Sequence, residues 1–404
     1  MDKVEVIVQA SPLHGKREIA RLKQEILSGI EAAGGFSVSE AEFPTGTGLP
    51  AVLVLTGGVE REVLKVVSQL PPPAILIAHP GHNSLPAALE ILARIRQDGG
   101  EGRILFGSPE EIAVGLAREL RVATAWEELR FSRIGLIGEP SEWLVASDVD
   151  RAFLKGRLGI ELIKIPIDEV IARVERVRTP RRDVSRFTKE AETVAEPSVE
   201  ELQGAVAIYA AIRELVDEYH LAAFTIRCFD LVTRIQNTGC YALSRLNDER
   251  VPAGCEGDLQ ALFSLYLGSL LSGQVTFMGN VTSVDLNGGK IHLAHCTCPL
   301  SLASGYAVRS HFESGIGVGI AAKIPPGPCT IFRLGGERLD RLFVREGVIE
   351  AVPPREDLCR TQLAIAVEGE IASILTEPLG NHHILIPGRH RETVERFFTR
   401  YLIP

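Results

Sequence analysis

Short runs that are apolar throughout, separated by amphipathic stretches, fill the first part of the chain. Residues 4–9, 51–56, 74–78 and 103–106 read as strands, and 16–33, 59–69, 86–97 and 109–120 carry apolar positions at helical spacing. Gly34-Gly35 supplies a left-handed stop for the first helix. Strands without polar alternation that alternate with helices predict a parallel sheet covered on both faces. Such sheets bind ligands at the carboxyl ends of their strands. The tips here are Thr56-Gly57-Gly58 and His79-Pro-Gly-His-Asn83, which makes Asn83 a candidate substrate contact.

The same pattern restarts at residues 133–138, an apolar strand whose tip, 139–143, ends on a second candidate contact, Trp143. A strand at 160–165 follows. Residues 177–197 are polar, charged and flanked by proline, and so predict a loop or exposed segment. A long helix is predicted over 198–219, with Ser198 as N-cap and Glu201 completing a capping box. Strands at 223–228 and 274–278 enclose helices at 239–247 and 259–271. From Lys290 the texture changes to glycine, proline and short β-rich runs at 291–294, 315–321, 329–334, 341–349 and 362–367, which predict an antiparallel barrel or sandwich. A helix over 392–401 closes the chain. The predicted fold is α/β: two parallel-sheet, Rossmann-like units (residues 1–130 and 131–289) followed by a β-rich, barrel-like C-terminal domain (290–404).

Composition narrows the function classes. With 45% apolar residues in 404, a sizeable core is expected and disorder is not. The net charge of −9, with no dominant basic run, argues against nucleic acid. The one local cluster, Arg178, Arg181 and Arg182 around Pro180, reads as a solvated loop. No apolar run reaches the roughly 18 residues that span a bilayer, and the N-terminal run reads as a strand rather than a signal peptide. No membrane partner and a cytoplasmic location are expected. Seven cysteines, an odd number in a chain this long, do not form a disulfide framework and read as buried thiols.

Chemistry-bearing residues gather in the C-terminal part. In Ala253-Gly-Cys-Glu-Gly-Asp258, glycines on either side of Glu256 let the backbone approach a ligand. Glu256 reads as a functional carboxylate or a turn residue, and Asp258 as a second carboxylate or the cap of the following helix. His295-Cys-Thr-Cys298 lacks the paired spacings of a structural zinc site, so core packing accounts for its thiols. On a strand, His295 would face away from them, toward a site or toward solvent. His382 and His383 open a strand and must point to opposite faces, so one of the two is available as a ligand. In Ser310-His-Phe-Glu-Ser314, His311 and Glu313 would share a strand face. Gly135-Leu-Ile-Gly138 lacks dinucleotide-loop spacing, which argues against NAD.

Taken together and in order, Arg227-Cys-Phe-Asp230, Ala253-Gly-Cys-Glu-Gly-Asp258, Phe277-Met-Gly-Asn280, Ala294-His-Cys-Thr-Cys-Pro299 and Asn381-His-His383 resemble the L-fucose isomerase / L-arabinose isomerase superfamily. The resemblance is clearest over residues 224–311 and again near residue 383. It implies aldose–ketose interconversion through an enediol, a small-molecule sugar substrate, and a divalent metal, Mn²⁺ with Co²⁺ or Mg²⁺ as alternatives. It also implies a homo-oligomer, trimeric or hexameric. By resemblance Glu256 is ligand and acid/base, His383 (or His382) the C-terminal ligand, and His295 the histidine that completes the site. The family's second carboxylate falls at Gly279 or Asn280, where none is present. The expected ligand set is therefore Glu256, Asn280, His295 and His383. Asp258, Asp230 or Glu313 is left to supply the second acid, and Glu256, Asp258 and Glu313 are the expected catalytic groups. Arg227, Asp230, His311 and His382 complete the expected substrate contacts, and Arg227 and Arg309 would meet an anionic group on the sugar. A different metal-dependent sugar or sugar-phosphate enzyme, or a non-catalytic sugar-binding protein, are the alternative readings.

Overall fold

The structure is a computed structural model that describes residues 2–177 and 181–403. The chain forms two compact units, Met1–Glu127 and Glu128–Pro404. In the first, β1 (Lys3–Gln9), α1 (Lys16–Gly34), β2 (Ser37–Glu40), β3 (Leu49–Val54), α2 (Glu60–Val67), β4 (Ala74–Ala78), α3 (Ser84–Gln97), β5 (Gly102–Phe106) and α4 (Pro109–Leu129) follow one another. The sheet order is β2-β1-β3-β4-β5, parallel throughout. Consecutive residues of β3 show why its sequence does not alternate. Ala51 and Leu53 pack with Ile26 and Ile30 of α1 and Leu116 of α4, while Val52 and Val54 pack with Val63 of α2 and Ile91 of α3. Both faces are dry, so both parities are apolar.

The second unit continues with β6 (Arg133–Ile137), α5 (Arg151–Arg157), β7 (Glu161–Ile165), α6 (Ile167–Val174), α7 (Arg181–Glu190), β8 (Thr193–Val194), α8 (Val199–Tyr219), β9 (Ala223–Ile226), α9 (Phe229–Ile235), α10 (Cys240–Asp248), β10 (Ala253–Cys255) and α11 (Leu259–Ser272). Strands β10-β9-β6-β7 form a second parallel sheet. The capping box at Ser198 and Glu201 is present as the sequence predicts.

Then come β11 (Phe277–Asp285), β12 (Lys290–His295), β13 (Tyr306–Arg309), β14 (Gly319–Ala322), β15 (Gly327–Gly335), β16 (Arg341–Glu350), β17 (Thr361–Val367), α12 (Ser373–Thr376), β18 (His382–Pro387) and α13 (Arg391–Phe397). Strands β11-β12-β17-β16-β15-β18 close an antiparallel barrel. Strands β14-β13-β8 form a small separate sheet. Two parallel-sheet units and a C-terminal barrel are the α/β fold the sequence predicts.

Two predicted segments differ. Within residues 177–197 the described segment is largely exposed, as expected, but 181–194 are not a loop: α7 and β8 lie there, with Phe187 of α7 buried and its ring centroid 4.0 Å from that of Tyr241. Val184, Phe187 and Ala191 form a narrow stripe at helical spacing that packs on the core, too sparse to stand out among the charges around it. Residues 310–314 are a turn, not a strand, closed by Gly315 N–H donating to the His311 carbonyl (2.9 Å). Of the arginine cluster, Arg178 and Pro180 lie outside the described residues, as do the side chains of Arg181 and Arg182. All seven cysteines are free, six of them buried. No described helix is long and apolar enough to cross a membrane.

Candidate active site

Glu256 sits on the turn that joins β10 to α11. Asp258 caps that helix, its Oδ1 accepting from Ala261 N–H (2.7 Å). The two intervening residues reverse the chain in left-handed conformations, Glu256 at φ 63° and Gly257 at φ 75°. Such a conformation costs a non-glycine residue about 1–3 kcal/mol and recurs at functional sites. Gly257 admits no side chain, since its Cβ would lie 2.7 Å from Pro140 Cα. Ser141 N–H donates to the Glu256 carbonyl (2.9 Å), which ties the segment after β6 to the turn. From that segment the Trp143 indole N–H donates to Glu256 Oε2 (2.6 Å).

Strand β18 faces this turn. Antiparallel pairing with β11 sets His382 directly opposite Asn280, so the two side chains share a face. His382 is wholly buried. Its Nδ1 lies 2.9 Å from Asp258 Oδ2, and its Nε2 lies 3.5 Å from Glu256 Oε1. The second contact is an ion-pair distance without hydrogen-bond alignment, which leaves Nε2 a buried nitrogen with no hydrogen-bond partner. Behind Asp258 the fully buried Arg333 guanidinium lies 3.3 Å from Oδ2 and donates to the carbonyls of His382 (2.6 Å) and Leu379 (3.0 Å). His295, at the end of β12, has its Nδ1 2.8 Å from Thr297 Oγ1, and its ring centroid is 5.6 Å from that of His382.

The charge states follow from these contacts. Burial pushes Glu256 up, but His382 and the Trp143 N–H outweigh it and hold the carboxylate at about 2. Burial likewise opposes the ionised form of Asp258, and the Arg333 charge together with His382 brings it to about 2. Burial would strip the proton from His382, but the flanking carboxylates of Asp258 and Glu256 prevail and raise it to about 9. At His295 the balance is reversed: burial, reinforced by the His382 charge, outweighs the Glu256 carboxylate and lowers it to about 3, so its imidazole is neutral.

These are the features of a cation-binding donor set. Cys255, Glu256 and His295 offer ligand atoms within 4.8 Å of one another. Both histidines have Nδ1 engaged by a supporting group and Nε2 left over, the arrangement that orients imidazole ligands at metals. With the orphaned His382 nitrogen beside an ionised carboxylate, Glu256, His295 and His382 fit a divalent metal and could hold one.

A cleft of 490 Å³ opens in front of this centre, lined by Trp143, Phe229, Glu256, Asn280, Glu313 and Asn381. Trp143 and Phe229 meet edge to face at 5.1 Å, and Phe229 meets His311 in the same way at 5.7 Å. Asn381 Nδ2 donates to Asn280 Oδ1 (2.9 Å).

Of the residues expected from the sequence, Glu256, Asn280, His295, Glu313, Trp143 and His382 come together here. Asp258 is close but lies behind His382, with no exposed surface. His383 does not join them: it packs on the other face of β18, edge-on to Phe343 at 5.3 Å. His382 takes the position expected of His383. Asp230 and Arg227 pair with each other (3.0 Å), and the Arg227 guanidinium also binds Glu142 (2.7 Å), so this arginine is already neutralised. Arg309 is held by Glu196 and Glu356. His311 bonds Ser314 Oγ at 3.0 Å, and burial, together with the Arg360 charge, lowers its pKa. Asn83 belongs to the N-terminal unit, where it precedes α3 in a left-handed conformation. The sequence reading missed Phe229, Asn381 and Arg333. For Arg333 a signal existed: a lone arginine inside the apolar run Thr330-Ile-Phe-Arg-Leu334 requires a buried partner.

No protein-family model matches the sequence. Among curated proteins the chain is similar to a sulfoquinovose isomerase of Alkalicoccus urumqiensis, 26% identical over 306 residues that cover 73% of this chain and 68% of that protein. A sulfoquinovose isomerase of Clostridium sp. (strain MSTE9) is 25% identical over 306 residues, 72% of this chain and 68% of its own length. One from Priestia aryabhattai is 24% identical over 250 residues, 57% and 54% respectively.

Proposed function

We propose, from that similarity and from the Glu256 centre, that the chain is a metal-dependent aldose–ketose isomerase that works through an enediol intermediate. The observation that carries the reading is the buried His382 nitrogen, unpartnered and 3.5 Å from an ionised Glu256, at the floor of a polar cleft. Glu256, His295 and His382 would hold the metal, with the Asn280 amide oxygen beside them. When bound, a divalent metal would polarise the oxygens on the first two carbons of the sugar and so acidify the hydrogen on carbon 2.

The protein's own groups do the rest. Asp258 fixes the His382 ring through Nδ1 and so presents its Nε2 to Glu256, and Thr297 fixes the His295 ring through Nδ1. Trp143 holds one Glu256 oxygen and leaves the other facing His382. Trp143 and Phe229 offer apolar faces along which the sugar's C–H surface can lie, while Asn280 and Asn381 offer hydrogen bonds to its hydroxyls.

The sugar named in the relatives, sulfoquinovose, is the first substrate to test. One observation favours a second reading, a neutral aldose. The residues lining the cleft carry two carboxylates and no cation, and Arg227 is already neutralised by Glu142 and Asp230. Trimeric or hexameric assembly, implied by the sequence resemblance, is carried as part of the same proposal. The test is proton NMR of the purified protein with Mn²⁺ in D₂O, against sulfoquinovose and a panel of neutral aldoses. Ketose formation with deuterium entering at carbon 1 is expected, and Glu256→Gln should abolish both turnover and Mn²⁺ uptake. Turnover of neutral aldoses alone would select the second reading. Tight Mn²⁺ binding by Glu256→Gln would show that the donor set is misassigned.

A further inference from the structure

Moving a hydrogen between adjacent carbons needs a group that takes a proton and gives it back. Of the cleft's six lining residues, Asn280 and Asn381 are amides and Trp143 and Phe229 carry no acid. Position 280 is the one on β11 that faces the cleft, since a side chain at Gly279 would enter the barrel core, 3.2 Å from Leu293 Cβ. The residue there, Asn280, is an amide and can neither take nor return the proton. Asp258 cannot substitute. It is wholly buried, with Oδ1 capping α11 and Oδ2 shared between His382 and Arg333. Glu256 is fixed by His382 and Trp143, and is the proposed metal's carboxylate.

Resting on the isomerase reading, we propose that Glu313 is the proton carrier of the reaction, entering the cleft from the turn between β13 and β14. Glu313 lines the same cleft as Glu256, is exposed at its mouth, and makes no hydrogen bond or ion pair with any described residue. Its turn is nevertheless held firmly. His311 N–H donates to the Ile316 carbonyl (3.1 Å), Gly317 N–H donates to Glu201 Oε1 (2.7 Å), and Arg360 Nε donates to the Ser310 carbonyl (2.9 Å). A free carboxylate on a fixed turn is what a base that must reach two adjacent carbon atoms requires. Burial and the Glu256 charge both raise its affinity for a proton, which makes it a stronger base than an ordinary glutamate.

The step balances as follows. The Glu313 carboxylate takes the proton from carbon 2 of the open-chain aldose. The C–H electron pair becomes the carbon 1–carbon 2 double bond, and the carbonyl oxygen on carbon 1 takes a proton from water to give the enediol. The hydroxyl on carbon 2 then returns a proton to water as its oxygen becomes the ketone. The electron pair of the double bond takes the proton held by Glu313 at carbon 1, which regenerates the carboxylate. Because Glu313 faces solvent, its proton exchanges with water between the two transfers, and product formed in D₂O carries deuterium at carbon 1.

The test compares wild type with Glu313→Gln and Glu313→Ala on whichever aldose the wild type isomerises. General acid–base groups contribute about 10²–10⁴-fold, so Glu313→Gln should lower kcat by about 100-fold or more with little change in KM. Mn²⁺ uptake and melting temperature should match wild type, since Glu313 is neither donor nor packing residue. Added formate should restore part of the Glu313→Ala rate, and the acid limb of the wild-type kcat profile should vanish in Glu313→Gln. If Glu313→Gln keeps wild-type kcat and deuterium incorporation, the role of Glu313 is overturned while the isomerase reading stands. If wild type acts on no aldose, both fall together.

Discussion

At the residue scale the site depends on a charge that never meets solvent. Arg333 has no exposed surface, lies 3.3 Å from Asp258 Oδ2, and holds the carbonyl of the His382–His383 peptide bond. Taking away one partner of a buried pair leaves the other charge unpaired, which costs about 3–5 kcal/mol. Arg333→Met should therefore destabilise the second unit by about that amount in urea titration. Its effect should exceed that of Arg309→Met, whose pairs are more exposed. An equal and small loss for both would mean that the Asp258 charge is compensated elsewhere. This scale also shows where sequence reading stopped. That one of His382 and His383 would serve was legible from the parity of a strand. Which one was not, because Ile384, Leu385 and Ile386 beyond them are all fully buried. Leu385 faces the barrel core, and Ile386 faces Gly268 of α11. With α11 covering the outer face, the alternation that would have assigned the histidines is absent. In the sequence Glu313 is one of several candidates for a second carboxylate, because it reaches the cleft from a turn and no periodicity aims a turn.

At the element scale, four short pieces build the centre: the β10–α11 turn, the segment after β6, the end of β12 and the start of β18. What could be read in them was local. Asp258 as the cap of α11 and the Ser198–Glu201 capping box depend on residues within four positions of each other, and both are present. What could not be read was the packing of the turn against residues more than a hundred positions away. Gly257 looks like one more glycine beside Glu256, yet its importance comes from Pro140, whose Cα would lie 2.7 Å from any Cβ placed there. Gly257→Ala must either force that contact or give up the left-handed turn, at about 1–3 kcal/mol. The expected result is a lower melting temperature and loss of the Ser141 to Glu256 backbone bond. Trp143 should then be freed from Glu256, shifting its fluorescence. Gly156→Ala is the control, since a Cβ there meets nothing within 4 Å. Matching melting curves for the two variants would show that the turn has room the geometry does not reveal.

At the scale of the whole molecule, the proposed donors and the cleft residues all fall within Glu128–Pro404, although they are spread over more than two hundred positions of sequence. Glu256 comes from the turn that leaves the parallel sheet, whereas His295 and His382 come from barrel strands β12 and β18. A metal bound by all three would therefore crosslink sheet and barrel, and its binding energy would add to the stability of both. A ligand at a hundred times its dissociation constant stabilises the folded state by about 2.7 kcal/mol. Saturating Mn²⁺ should raise the melting temperature, and a chelator should reverse the gain. Hydrogen exchange then locates the effect. Protection should increase in β10, the first turn of α11, the end of β12 and the start of β18. Direct protection is not expected in β1 to β5, whose residues supply none of the proposed donors. Removing Glu256 as Gln should erase the protection in the sheet and the barrel together, because it is the ligand nearest both histidines. Protection that appears in the barrel alone and survives Glu256→Gln would mean that the metal sits on β12 and β18 without the turn, and the proposed centre would have to be redrawn.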